Sequence, residues 1–212
     1  MAQGIPMNCE MMNLFATPLY KSALEQSLTE KEIDYIKQQL QDPVKAISNL
    51  SSKNKNVLDA PELAGIRAAL QERLDDYLHT VFKSSNKVSL QITQSWLSVT
   101  RKGESHHSHL HPNSVVSGVL YINVAKDDGI NFYRNEDMLW YDLVREKENY
   151  YNASRYFVGV QAGDVLLFPS NLKHGVREVH DNIERVSLAF NSFFTGELGR
   201  DGFSNSLKIS IG

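Results

Sequence analysis

The chain has 212 residues, of which 42% are hydrophobic and 22% charged, with a formal net charge of -3 and a single cysteine, Cys9. That length and balance suit one globular domain with a core large enough to fold without cross-links, and they exclude the disordered and fibrous classes. A slightly negative total gives no general pull toward nucleic acid or acidic membranes, and one cysteine excludes an internal disulfide or a cysteine metal cluster.

The first residues lack the basic start and apolar run of a signal peptide, and no apolar stretch reaches the ~18 residues of a membrane span. The expected setting is the cytoplasm. Residues 1–13 read as a loose end. Leu14 to Tyr20 read as a short edge strand, because Pro18 has no N–H to give to a ladder. A helix follows: Thr29 and Glu32 have capping-box spacing, Leu28 and Ile33 can form a hydrophobic staple, and Ile33, Ile36 and Leu40 continue an apolar stripe that ends before Pro43. Residues 48–56, rich in Ser, Asn and Lys, read as a solvated loop. Pro61 suits the first turn of a second helix, in which Leu63, Ile66, Leu70, Leu74, Tyr77, Leu78 and Val81 recur at three and four. His79 on this helix reads as a surface or rim residue.

From Ser89 onward the pattern is that of strands. Leu90 to Thr100 alternates Gln94, Trp96 and Ser98 on one face with Ser95, Leu97 and Val99 on the other. Val115 to Val124 places Ser117, Val119, Tyr121 and Asn123 opposite Gly118, Leu120, Ile122 and Val124. Asp127-Asp128-Gly129 makes a turn, and Ile130 to Tyr133 returns as a strand. Residues 135–155 break the alternation with Trp140, Tyr141, Tyr150 and Tyr151, and read as an inserted loop or lid that selects a substrate or merely packs. Tyr156–Val160, Val165–Phe168, Gly175–Val179 and Val186–Phe194 complete the series, and the tail after Thr195 has no reading. One domain over 1–212 is expected, helical over 28–83 and β over about 89–195, as a sandwich or barrel with two helices on one sheet.

Four of the seven histidines fall within His106-His107-Ser108-His109-Leu110-His111. On an extended segment, His109 and His111 share a face and can meet one metal ion; His107 and His109 form a second pair with the same spacing. A solvated histidine-rich loop would leave the same trace. His174, after the apolar run Val165 to Phe168, is the candidate third ligand. On the last strand Arg185, Ser187, Ala189 and Asn191 share one face and Val186, Leu188 and Phe190 the other. With the apolar face under the helices, an inward arginine beside a serine offers a planar fork for a carboxylate. A buried ion pair of Arg185 with Glu184, Asp164 or Glu178 fits equally.

Taken together, Gln94-Ser95-Trp96, His109-Leu110-His111-Pro112-Asn113-Ser114, Ser117-Gly118-Val119-Leu120-Tyr121, Phe168-Pro169-Ser170 to His174, and Glu184 to Asn191 resemble the double-stranded β-helix (jelly-roll) oxygenases that use Fe(II) and 2-oxoglutarate. The resemblance covers about residues 14–195 and is strongest to a branch found in marine bacteria and tailed phages. It implies a mainly β jelly roll, Fe(II) on His109 and His174 with His111, and 2-oxoglutarate held by Arg185 and Ser187, with Tyr121 and Asn123 on the neighbouring strand. It implies oxidation of a C–H bond of a small-molecule or peptide substrate, with succinate and carbon dioxide as co-products. The usual motif is H-x-D, and here His111 stands where the carboxylate is expected, leaving such a metal one charge more positive. Alternatives are a cupin-like three-histidine enzyme that ignores 2-oxoglutarate and a non-catalytic jelly-roll module; zinc hydrolysis is the weakest, with no paired carboxylate base near the histidines. A homo-oligomer is left open.

Overall fold

The polar-apolar periodicity of the N-terminal half folds into two helices that share one core. In the computed structural model, residues 10–84, 87–134, 144, 146–200 and 202–211 are described. Helix α1 (Glu30–Gln39) opens with the expected capping box: the Thr29 N–H donates to the Glu32 carboxylate at 2.7 Å, and the Glu32 N–H donates to the Thr29 hydroxyl at 3.3 Å. Helix α2 (Ala64–Tyr77) follows a short 3-10 turn at Pro61–Leu63 and runs into a π turn at Leu78–Phe82. Its Ile66, Leu70, Leu74 and Tyr77 are buried against Leu97, Leu120, Leu188 and Phe190 of a sheet. His79 is exposed.

That sheet runs in the order β1 (Tyr20–Ala23), β9 (Asp164–Pro169), β6 (Val116–Asn123), β11 (Arg185–Leu198), β4 (Val88–Thr100), β3 (Leu50–Ser51), β2 (Val44–Lys45), with β12 (Leu207–Ile209) paired to the end of β11. A smaller sheet runs β5 (His106–His109), β10 (His174–Val176), β7 (Gly129–Tyr133), β8 (Arg155–Gly159). All strand pairs within the two sheets are antiparallel. The face of the larger sheet turned away from the helices packs Tyr121, Leu166 and Phe168 against Ile130 and Phe132 of the smaller one. The result is the two-sheet jelly roll with helices on one sheet. Strand β6 passes close to β11, where only glycine fits: a Cβ on Gly118 would lie 2.1 Å from the Phe190 ring.

Several expectations need correcting. The first strand begins at Tyr20, not Leu14, and pairs on the sheet edge with β9; Leu14 and Phe15 are exposed, with nothing in the core to hold them. Residues 48–56 are a solvated loop only in part: residues 53–56 are exposed, but Asn49, Ser51 and Ser52 are buried. Ser51 pairs with Ser98, and the buried Ser52 hydroxyl donates to the Asn54 carbonyl at 2.7 Å and accepts from the Leu97 N–H at 3.0 Å, so polar composition here satisfies strand backbone instead of water. The strand expected at Ile130 to Tyr133 does form, as β7, and lies in the smaller sheet between β10 and β8. The unread tail extends β11 to Leu198 and adds β12.

Candidate metal centre

His109 ends β5 and His174 begins β10, and the two are directly paired across the ladder, so both side chains leave the same face. His111 lies two residues beyond β5, its N–H donating to the Ser170 carbonyl at 3.0 Å; the turn that follows passes through Asn113 at φ 59°, a conformation asparagine tolerates. The Nε2 atoms of His111 and His174 stand 3.2 Å apart, and one ring nitrogen from each of His109, His111 and His174 lies within 4.8 Å of the others. Nδ1 of His109 faces the His107 carbonyl at 2.8 Å, and Nδ1 of His174 the Leu172 carbonyl at 2.8 Å. With Nδ1–H donating there, Nε2 of each ring is left as a lone pair pointing into the cluster.

Burial pushes these imidazoles toward the neutral form that binds metal. His174 falls to about 3 and His111 to about 4, chiefly through desolvation with lesser repulsion from the neighbouring rings, and His109 is lowered by the same cause. In the metal-free protein a neutral His111 can donate Nε2–H to the His174 lone pair; with its proton on Nδ1 instead, all three Nε2 atoms are free to ligate, and a divalent metal fits that donor set. Phe168 packs edge-on to His174 at 4.6 Å between centroids, and Trp96 lies 5.6 Å from His111. The alternative pair is present as well: His106, His107 and His109 form a second group with convergent nitrogens that shares His109.

The arginine expected on the inward face of β11 is there, 2% exposed, but none of the three partners suggested by sequence is its partner. Arg185 Nε donates to Asp128 Oδ2 at 2.7 Å, with side-chain exposures of 2% and 4%. Glu184 pairs instead with Arg101, Asp164 with Lys21, and Glu178 faces His180. The Arg185 guanidinium sits 5.3 Å from the Tyr121 ring centroid. Ser187 is buried, opposite Tyr121 on β6 and Ser98 on β4. Asn123 is exposed and its amide donates to the Glu184 carbonyl at 2.7 Å, so the fold does not bring it into this buried group.

Two buried hydroxyls lie around Arg185: Thr100 Oγ1, on the residue paired across from it, has no hydrogen-bond partner, and Tyr121 OH has only the nearby guanidinium to interact with, short of a well-formed hydrogen bond. Burial drives the Tyr121 phenol well above its ordinary range, so it is a neutral O–H donor. Buried unsatisfied hydroxyls are costly and need an explanation; a carboxylate between them and the guanidinium supplies one. Thr100 was missed by sequence reading although it continues the Gln94, Trp96, Ser98 face, and Asp128 was read only as a turn residue. Trp140 and Tyr141 lie outside the described residues; Tyr150 and Tyr151 are exposed.

Residues 94–191, from within β4 to within β11, match the model of a family described as "Putative 2OG-Fe(II) oxygenase". No curated protein matches the chain. Among solved structures, HygX from Streptomyces hygroscopicus with nickel, 2-oxoglutarate and hygromycin B bound is 17% identical at a TM-score of 0.54, covering 83% of this chain and 82% of that one. A Pseudomonas putida prolyl-4-hydroxylase is 15% identical at 0.52, covering 82% and 92%. The non-heme alpha ketoglutarate dependent epimerase SnoN from nogalamycin biosynthesis is 12% identical at 0.56, covering 89% and 83%. At these identities the structural likeness speaks for the fold.

Proposed function

We propose that this chain is a member of the Fe(II)/2-oxoglutarate oxygenase superfamily, whose model matches residues 94–191, that it holds Fe(II) on His109, His111 and His174, and that it binds the distal carboxylate of 2-oxoglutarate with Arg185, Ser187 and Tyr121. The reaction is oxidation of a C–H bond in a small-molecule or peptide substrate, with succinate and carbon dioxide as co-products. Iron, 2-oxoglutarate and dioxygen together supply that oxidising chemistry. The protein's own residues set it up. His109 and His174 offer Nε2 because their Nδ1 atoms are held by main-chain carbonyls, and Phe168 shields His174 from water. Arg185 offers its fork to a carboxylate, and Tyr121 and Thr100 add two hydroxyl donors. Asn123 is not part of this set.

The observation that carries the reading is the coincidence of three convergent, neutral imidazoles with a buried arginine flanked by orphaned hydroxyls. The hygromycin B bound by HygX supports a small-molecule substrate. A cytoplasmic setting is in keeping with the lone Cys9; no helix among the described residues is long and apolar enough to cross a membrane. A second reading, three-histidine metal chemistry without 2-oxoglutarate, is favoured by the absence, among the described residues, of a carboxylate from the metal-ligand group and by Arg185 already being paired.

Anaerobic titration of the purified protein with Fe(II) and then 2-oxoglutarate distinguishes them. A weak visible charge-transfer band that disappears in His174→Ala supports the first reading. Iron binding without the band supports the second, and a protein that takes up no metal refutes both.

A further inference from the structure

We propose that Asp128 is the carboxylate of this centre, placed behind Arg185 instead of on the metal, and that it orients the arginine and balances the charge of the site for a dianionic co-substrate. The inference rests on the 2-oxoglutarate reading above and assigns to Asp128 a positioning role that acts through Arg185.

The geometry is that of a built anchor. Asp128 lies on the segment that carries the chain from β6 in one sheet to β7 in the other. Its Oδ1 accepts the Gly129 N–H at 2.6 Å, while its Oδ2 accepts the Ala125 N–H at 3.3 Å and the Arg185 Nε–H at 2.7 Å. The carboxylate is therefore fixed by main-chain N–H groups on both oxygens, and Oδ2 also holds the arginine. Asp128 takes one of the five guanidinium donors, the one on Nε; the terminal nitrogens form the planar fork that matches a second carboxylate. A long side chain that could swing is thereby held to one direction, with the Tyr121 ring against it. Lysine at position 185 could not be held this way, having no Nε side to bind while a fork remains.

Charge counting points the same way. A metal held by two histidines and a carboxylate, with an arginine nearby, sums to two positive charges, equal and opposite to 2-oxoglutarate. With His111 in place of the carboxylate and Arg185 alone, the sum is three. Asp128 restores it to two, and it also removes the cost of an unpaired buried guanidinium in the apo protein. The negative charge that the metal motif lacks is thus supplied beside Arg185.

The test measures 2-oxoglutarate affinity for the Mn(II)-loaded protein by calorimetry, in wild type, Asp128→Ala, Arg185→Ala and the double variant, with Mn(II) affinity followed separately. Asp128→Ala is expected to weaken 2-oxoglutarate binding roughly tenfold with Mn(II) affinity unchanged, and to change nothing further once Arg185 is gone. Asp128→Asn keeps an oxygen acceptor for Arg185 Nε, so a smaller loss is expected; if the alanine variant does not fold, Asp128→Asn and its double variant with Arg185→Ala carry the same comparison. Unchanged affinity in the Asp128 variants, or an equal loss with and without Arg185, overturns the positioning role. A wild-type protein that binds Mn(II) but no 2-oxoglutarate overturns the function itself, a separate outcome.

Discussion

The two faces of β11 are equally buried and chemically opposite. Leu188 and Phe190 are 0% and 1% exposed under helix α2, in a region where dispersion and apolar burial suffice. Arg185, Ser187 and Asn191, on the other side of the same strand, are 2%, 5% and 5% exposed among polar groups. Even that inner face divides along its length. At the Asn191 end every hydroxyl is accounted for, with Ser117 donating to Asn191 at 2.9 Å, Ser117 and Ser170 2.8 Å apart, and Ser170 donating to Ser114 at 2.7 Å. At the Arg185 end, Tyr121 and Thr100 hydroxyls are left over. Along this face of β11, burial does not separate scaffold from site; hydrogen-bond satisfaction does.

Breaking the dry face should cost the most. Leu188→Ala is expected to destabilise the fold by about 2–5 kcal/mol, read from denaturant midpoints, with metal affinity of the folded fraction unchanged. A comparable loss of metal affinity would show that the two faces are not independent. Next in size is the acid response of the metal-free protein. His174 and His111 titrate near 3 and 4 when folded but near 6.5 when unfolded, so below about pH 6.5 the unfolded chain binds more protons. Stability is then complete above that pH and falls progressively down to about pH 3, with a loss of about 3 kcal/mol from the two by pH 5.5. Urea unfolding at pH 7.5 and 5.5 measures it, and a flat profile would contradict the neutral, buried imidazoles. The smallest effect has the opposite sign. Thr100→Val removes an orphaned hydroxyl at nearly constant shape and should leave the ligand-free fold as stable or up to about 1 kcal/mol more so, while weakening 2-oxoglutarate binding. Loss of stability there would mean that Thr100 is scaffold.

What the sequence made legible was whatever repeats or caps. The Thr29–Glu32 box, the α2 stripe and the alternation of β4, β6 and β11 could be read because each is local and periodic, and the inward direction of Arg185 followed from that alternation alone. The ion pair could not. Asp128 and Arg185 are 57 positions apart, and three nearer or equally plausible acids stood in the way; nothing in an Asp-Asp-Gly turn signals which acid faces the core. The two short strands at Val44–Lys45 and Leu50–Ser51 were hidden for a related reason, since serines that satisfy a neighbouring strand have the same composition as serines that meet water. His109 and His111 are brought together as their spacing suggested, and His174 joins them as its place after an apolar strand suggested; the irregular pairing of His106 and His107, with a register shift between His174 and Val176, leaves no mark in the sequence.

The position of β5 has a kinetic consequence. It is the outermost strand of the smaller sheet, and its free edge is met by Ser48, whose hydroxyl donates to the Ser105 carbonyl at 2.9 Å and accepts the His107 N–H at 3.2 Å. Three of those five clustered imidazoles therefore ride on a strand that can peel away without disturbing the helix-covered core. Amide protons of residues 106–109 should exchange through such local opening, orders of magnitude faster than those of β11, and a bound ion should leave by the same door.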